Sequence, residues 1–335
     1  MWGMVTSTRI VRTTGVDPWR NLAVEEYLLN NVEKGQCILY LWQNQNTVVI
    51  GKNQNAWREC RTDLLEKEGG KLARRLSGGG AVFHDLGNLN FTFLMNREDY
   101  DLEKQVTVIL KAVNKAGIHA EMTGRNDLTV DGKKFSGNAF CFRKSNAYHH
   151  GTILVKADMD KLSKYLQVSR EKIVSKGIES VQSRVTNLVE YNGQLTIDQM
   201  ATLLMEAFAE IYGGSSEYSD GAELIENQAI KELYEKYSSW EWRYGQTPKF
   251  DIEMTQRFAW GGIEIGMQLK NGIIEKAAVY SDALDETFIE MLPEILEGCS
   301  FQSTALAHKL RALEVQETRR EMIEDIAGWL EEKGF

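Results

Sequence analysis

Proline is scarce, at 3 in 335 residues, which removes collagen-like and proline-rich extended classes. Only four cysteines are present: Cys37, Cys60, Cys141 and Cys299. Their spacing is irregular and forms no CxxC pair, so they build neither a disulfide framework nor a zinc site. No HxH or HxxxH pattern occurs, and no structural metal is expected. No apolar run approaches the ~20 residues needed to cross a bilayer. Arg9 and Arg12 interrupt the first fourteen residues, and no apolar signal-peptide core follows them. A soluble, reduced, cytoplasmic protein with no membrane contact is the expectation. A basic excess is also missing: 39 Lys and Arg face 48 Asp and Glu, for a net charge of −9. Such a chain lacks the broad basic face that captures a nucleic-acid backbone, so no nucleic-acid partner is expected.

What is present supports a packed core, with 43% hydrophobic and 26% charged residues, and the length suggests about two domains. The charge is uneven. Residues 253–335 hold 8 basic and 16 acidic side chains, so they carry −8 of the net −9. The stretch Gly245–Phe250, with Pro248 inside it, is the best linker. A first domain over 1–246, a linker at 247–252 and a second domain over 253–335 follow.

Asp17-Pro18 reads as an N-cap with proline at the first helical position. Ile38–Trp42 and Thr47–Ile50 read as a hairpin across Gln-Asn-Gln-Asn. Ala81–His84, Leu89–Met95 and Thr152–Val155 read as further strands. Leu102, Val106, Ile109, Leu110 and Val113 keep helical spacing, and Gly117 stands where a C′ glycine belongs. Asp131-Gly132 and Lys270-Asn271-Gly272 are type I′ hairpin signals. Thr196 and Gln199 form a capping box ahead of a helix through Phe208 and Ile211. The pattern predicts an α+β chain with mostly antiparallel strands.

The densest chemical signal is Arg74-Arg75-Leu76-Ser77-Gly78-Gly79-Gly80-Ala81-Val82-Phe83-His84. Glycines let backbone N–H groups approach an anion, and arginine offers a planar fork of donors to phosphate or carboxylate. A glycine-rich turn with solvated arginines is the plainer alternative, but the flanking residues favour an anion site. The stretch is no P-loop, and Phe83 stands where a dinucleotide fingerprint needs its third glycine. Lys134, in Gly132-Lys133-Lys134-Phe135-Ser136-Gly137-Asn138, precedes alternating small residues and is a candidate to stabilise developing negative charge. Lys133 reads as solvated. The polar segment Lys176–Asn187 could close over a ligand. Asp127 reads equally well as a turn residue and as a Mg²⁺ ligand working with phosphate oxygens. His149 and His150 are adjacent, point to opposite faces of a strand and read as structural. Cys141 reads as buried, although a cysteine near a lysine can be a nucleophile.

Taken together, Arg74–Asn88 (RRLSGGGAVFHDLGN), DPWRNLAVEEYL, LYLWQNQNTVVIGKNQN, GRNDL, GKKFSGNAF, HHGTIL and SRVTNL resemble the lipoate–protein ligases across the first domain. Ser239–Trp242 and Phe258–Gly262 extend the resemblance into the second. It implies a biotin/lipoate-ligase-like catalytic domain, with a curved, mostly antiparallel sheet flanked by helices, and a small α+β accessory domain. It also implies two reactions. Lipoate attacks the α-phosphate of ATP with Mg²⁺, giving lipoyl-AMP and pyrophosphate. A carrier lysine then takes the lipoyl group as an amide. Carried over by position, Arg75 and Gly78, Gly79, Gly80, Ala81, Val82 and Phe83 lie in the nucleotide-contacting stretch, with Asn88 a weaker phosphate contact. Lys134 matches the lysine that meets both lipoate and the adenylate phosphate. Lys176, Ser183 and Arg184 fall in the adenylate-binding loop. Val24, Glu25 and Trp42 would line or close the lipoyl pocket. The expected partners are lipoyl carrier domains of 2-oxoacid dehydrogenase complexes or the glycine-cleavage H protein, and the expected state is a monomer. Two other readings stand beside this one: an octanoyl or lipoyl transferase acting through a Cys141 thioester, and a non-catalytic lipoate or nucleotide sensor. Biotin–protein ligase ranks lower, because its GRGRxG signature is absent.

Overall fold

The computed structural model describes residues 5–123, 127–166, 185–213, 216–224, 226–244 and 250–335. Contacts divide the chain into two compact units. The first comprises Met1–Ile50, Ala56–Leu76 and Ala81–Arg243, and the second Gly51–Asn55, Ser77–Gly80 and Tyr244–Phe335. The segment 245–249, which holds the first half of the expected 247–252 linker, lies outside the described residues.

The first unit is built on an eight-stranded sheet. Its strands are β1 (Ser7–Arg12), β2 (Gln36–Trp42), β6 (Asn88–Asn96), β7 (Glu121–Thr123), β8 (Asp127–Val130), β9 (Lys133–Arg143), β10 (Asn146–Leu154) and β11 (Glu217–Ser219), in the spatial order β11-β1-β2-β6-β10-β9-β8-β7. The β11, β1 and β2 strands run parallel and the other pairings are antiparallel. Side chains alternate across a strand, and here the alternation separates two cores. Leu39 and Leu41 of β2 with Leu89, Phe91 and Phe93 of β6 face α4 (Leu102–Lys115) and α6 (Ile197–Tyr212). Ile38, Tyr40 and Trp42 with Leu94 face α1 (Pro18–Asn31) and α7 (Gln228–Ser238). A smaller sheet, β3 (Thr47–Ile50) between β4 (Lys71–Arg74) and β5 (Val82–His84), belongs to the same unit.

The caps and turns form as the residues dictate. The Asp17 side chain accepts from the backbone of Trp19 and Arg20, with Pro18 beginning α1. Asp131 and Gly132 have φ of 49° and 74°, and Asn271 and Gly272 have 53° and 75°, the positive pairs a type I′ turn needs. Gly117, at φ 78°, follows the end of α4. Thr196 and Gln199 close their capping box.

The β2–β3 hairpin does not form. Both edges of β2 are filled, by β1 and β6, which leaves no ladder for β3. Asn46, at φ 45°, and the bond from Gln45 N to Val16 O at 3.1 Å turn the chain away into the smaller sheet.

In the second unit, β12 (Ile252–Phe258), β13 (Gly261–Lys270) and β14 (Ile273–Ser281) form an antiparallel sheet. Ile263, Ile265 and Met267 pack with helices α9 (Glu286–Leu296), α10 (Ser303–Arg311) and α11 (Glu317–Lys333). No helix among the described residues is long and apolar enough to cross a membrane.

Candidate active site

Lys134 sits beside an irregularity in the sheet. Opposite β9, Leu128 pairs with Ser136 but Thr129 pairs with Lys134, so Phe135 is the extra residue of a bulge. Phe135 enters the core that α4 and α6 cover. A bulge re-aims a neighbouring side chain, and the Lys134 ammonium turns across Gly137. Nζ lies 3.0 Å from the point where a Cβ on Gly137 would stand. Nζ also pairs with Asp127 Oδ1 at 2.6 Å, with both side chains more than a third exposed. The Lys134 carbonyl accepts from Thr186 N at 2.9 Å. Asn187 fixes that neighbouring segment: its Oδ1 accepts from Ala157 N at 2.8 Å and its Nδ2 donates to Ala157 O at 2.9 Å. Lys134 is thus held at its backbone and at its tip. The loop candidates Lys176, Ser183 and Arg184 lie outside the described residues.

The sheet face that α1 covers carries a buried polar patch. Glu25 Oε1 accepts from Thr92 Oγ1 at 2.7 Å and from His150 Nδ1 at 2.8 Å. Trp42 Nε1 donates to Thr92 Oγ1 at 3.1 Å. Val24 and Trp42 are buried in the apolar cluster around this patch. His149 points to the other side, between Gln105 and Asn138, so the two histidines do face opposite ways. Asn88, Asn90 and Thr92 follow one another on a single face of β6 and all are buried. Residue type and spacing do not mark the hydroxyl of Thr92 or the carboxamide of Asn90, and His150, read as structural, proves to be paired with Glu25. The alternation Asn-Leu-Asn-Phe-Thr-Phe was the available signal, because a strand polar at every second buried position is unusual.

Arg75 is buried. Its NH1 donates to Val49 O at 3.1 Å and its backbone N to Ile50 O at 3.0 Å. Burial lowers its pKa to about 10, countered by Tyr148 and Glu25 nearby, and a guanidinium at that value stays charged at neutral pH. Arg74 does structural work instead: its Nε and NH2 donate to the carbonyls of Trp242 and Arg243, and Trp242 Nε1 donates back to Arg74 O. His84 is buried beside Asn44. Asn21 donates to Asn44 Oδ1 at 3.0 Å, so the Asn44 amide N–H faces His84 Nδ1 and the ring proton rests on Nε2. Burial, with Arg75 and His150 adding to it, lowers the His84 pKa to about 3. Its Nε2–H is buried without a partner among the described residues.

The three glycines differ. A Cβ on Gly78 would stand 2.2 Å from Ala283 O, within the second unit. Gly79 has φ 87° and donates its N–H to Ala283 O at 3.1 Å. No described atom stands within 4 Å of the Cβ position of Gly80. Val82 lies in β5 and is half-buried, and Phe83 is buried against the Tyr165 ring at 5.4 Å. Ala81, just ahead of them, is half-buried. Cys141 is fully buried within the cluster that contains Tyr40 and Tyr148, so its thiol is not exposed. The thioester reading is not favoured. No group of three metal-ligating side chains occurs among the described residues.

A lysine and an arginine placed around buried polar side chains, on an α+β sheet, can activate a carboxylate; this is the chemistry of a ligase. Residues 17–209 match the lipoyl protein ligase A/B catalytic domain and residues 247–330 the bacterial lipoate protein ligase C-terminus. A lipoate-protein ligase A of Psychrobacter cryohalolentis is 39% identical over 330 residues, covering 96% of this chain and 97% of that protein. The P. falciparum LipL1 protein, solved with lipoate, superposes with a TM-score of 0.85 at 31% identity, over 97% of this chain and 99% of that one. A bipartite lipoate protein ligase of Thermoplasma acidophilum, described with its E2 lipoyl domain, gives 0.62 at 29% identity, over 73% and 99%. A lipoate-protein ligase A bound with ATP gives 0.60 at 27% identity, over 73% and 99%. The chain belongs to the lipoyl protein ligase A/B family.

Proposed function

We propose that the chain is an ATP-dependent lipoate–protein ligase, acting through lipoyl-AMP with release of pyrophosphate. The observation that carries this reading is the Lys134 ammonium, turned over Gly137 by the bulge and set beside the buried polar face of the sheet. Lipoate and ATP are both anions. Bringing a carboxylate onto the α-phosphorus requires cationic groups that cancel their repulsion and hold the charge that builds there. Lys134 is the catalytic residue, leaving Asp127 to reach the carboxylate and phosphate oxygens. Arg75 serves the nucleotide with the chain segment that follows it to Phe83; Asn88 is the weaker phosphate contact. Val24 and Trp42 offer the apolar slot for the lipoyl chain, with Glu25 beneath. Lys176, Ser183 and Arg184 belong to the segment proposed to contact the adenylate.

Asp127 is a single carboxylate already paired with a lysine, which suits Mg²⁺ held mainly by substrate phosphates. Mg²⁺ would neutralise phosphate charge as pyrophosphate leaves. In the second half-reaction the ε-amine of a carrier lysine attacks the acyl carbon, an amide forms, and AMP leaves with the electron pair of the broken anhydride bond. The acceptors are lipoyl carrier domains, those of 2-oxoacid dehydrogenase complexes or the glycine-cleavage H protein. Residues 1–246 are the catalytic domain, 247–252 the linker and 253–335 the accessory domain of a cytoplasmic monomer.

The test is lipoate-dependent ATP–pyrophosphate exchange with Mg²⁺ and no acceptor, followed by mass spectrometry of a lipoyl domain added to the reaction. Exchange that requires lipoate, then one lipoyl group on the carrier lysine, is the expected result. A folded chain that binds lipoate without exchange would be a sensor.

A further inference from the structure

On the sheet face that α1 covers, Trp42 of β2 opposes Asn90 of β6, and Asn90 opposes Thr152 of β10. The row continues into β9, where Gly137 N donates to Thr152 Oγ1 at 3.3 Å and the Lys134 ammonium crosses Gly137. Directly opposed side chains start about 5 Å apart. Asn90 therefore stands between Trp42, assigned to the lipoyl chain, and the strand of Lys134, assigned to its carboxylate.

Asn90 is 1% exposed and Asn88 is fully buried. Asn88 Nδ2 donates to Asn90 Oδ1 at 2.9 Å. That bond leaves Asn90 Nδ2 and Asn88 Oδ1 without partners among the described residues. A carboxamide that served packing alone would have both ends satisfied when buried this deeply. Thr92, two residues along the same face, is satisfied: its hydroxyl accepts from Trp42 and donates to Glu25. The unmet N–H of Asn90 falls where the row passes from Trp42 toward the strand of Lys134.

We propose that Asn90 is a further catalytic residue, whose Nδ2–H donates to an acyl oxygen of the substrate. In adenylation that oxygen belongs to the attacking carboxylate, and the bond orients its other oxygen toward the α-phosphorus. In transfer it is the carbonyl oxygen of the mixed anhydride, which gains charge as the carrier amine attacks. A fixed neutral donor in a site that excludes water stabilises that charge without reorganising. The proposal rests on the ligase reading.

The experiment compares the full-length wild-type chain with Asn90→Asp and Asn90→Ala in lipoate-dependent ATP–pyrophosphate exchange. The KM of each substrate, kcat and the thermal midpoint are measured for all three. Asn90→Asp keeps the shape and the acceptor that Asn88 uses, and puts an oxygen where the N–H was. Loss of one such donor predicts a fall of about 10²–10³ in kcat/KM for lipoate, with the KM for ATP within about twofold. Asn90→Ala removes the donor without adding a repelling oxygen and is expected to lose less, so it carries the test if the aspartate variant fails to fold. Unchanged kcat/KM for lipoate in a folded variant overturns the proposal, as does an equal rise in both KM values, the mark of general disorder. Absence of exchange in the wild-type chain overturns the ligase reading, and this inference with it.

Discussion

The ammonium of Lys134 passes 3.0 Å from the place a Cβ would occupy on Gly137. A methyl group there meets the far end of a flexible side chain rather than backbone, so Gly137→Ala should fold with little change in midpoint. The lysine tip must give by a few tenths of an ångström, and even a shift of about 1 Å in a catalytic group can cost ~10²-fold. Adenylation by Gly137→Ala should fall, though by less than that of Lys134→Ala, expected at about 10²–10³ below wild type. Pyrophosphate exchange beside a thermal melt measures both. Full activity in a folded Lys134→Ala would remove Lys134 from the reaction path.

Asp127 holds the same ammonium at 2.6 Å. With both partners more than a third exposed, the pair is worth only about 0–1 kcal/mol to stability, so Asp127→Asn should melt close to wild type. Its consequence belongs to activity. If Asp127 turns to Mg²⁺ when the phosphates bind, the variant should need more Mg²⁺ for half-maximal exchange. A Mg²⁺ titration of wild type and variant that superimposes would assign Asp127 to Lys134 alone.

Cys141 separates the ligase from a thioester transferase. Its side chain is fully buried in β9. Cys141→Ser exchanges a weakly polar thiol for a hydroxyl in a fully buried position, and desolvating a hydroxyl costs up to about 1–3 kcal/mol. Stability should fall while exchange and carrier modification, expressed per folded molecule, stay within about twofold of wild type. Loss of carrier modification with the fold intact would restore the thioester route.

Local chemistry is legible in the sequence. Asp17-Pro18, Asp131-Gly132, Asn271-Gly272 and Gly117 act within a few residues, and each takes the conformation its side chain or its lack of one requires. Pairing was less readable. Nothing near Trp42 says that both edges of β2 are taken by β1 and β6, so the hairpin with Thr47–Ile50 looked natural. The candidate site shows the same division. Lys134 and Arg75 stood out by charge. The Phe135 bulge that aims Lys134 depends on β8, and the bond from His150 to Glu25 joins residues 125 positions apart. Such long-range contacts leave no mark in spacing.

Gly78 tests why the glycine run exists. A Cβ at this position would stand 2.2 Å from Ala283 O and 2.9 Å from Leu284 O, both backbone atoms that cannot swing aside. Gly78→Ala should therefore destabilise by about 1–3 kcal/mol, the ordinary cost of overpacking. Gly80→Ala, with no described atom within 4 Å of its Cβ position, should leave the melt unchanged and act, if at all, on the KM for ATP. Denaturant melts of the two variants distinguish packing from ligand approach. Equal melts would mean that the close contact with Ala283 relaxes freely.

The buried histidines set the acid limit of the fold. Burial lowers the pKa of His84 from 6.5 to about 3, with Arg75 and His150 contributing, and burial followed by His150 lowers that of His149 to about 3. In each case the unfolded chain takes a proton near pH 6.5 that the folded chain refuses. The unfolded state therefore binds more protons below that pH, and stability falls as the medium is acidified. The contribution is complete above about pH 6.5 and is lost down to about pH 3, at up to ~1.4 kcal/mol per pH unit for each ring. Denaturant unfolding between pH 7 and 5 should show this slope before most carboxylates begin to titrate. Replacing His84 with Gln, which cannot ionise, should remove about half of it. A slope unaltered by His84→Gln would mean that His84 is reached by water, or already protonated, in the folded chain.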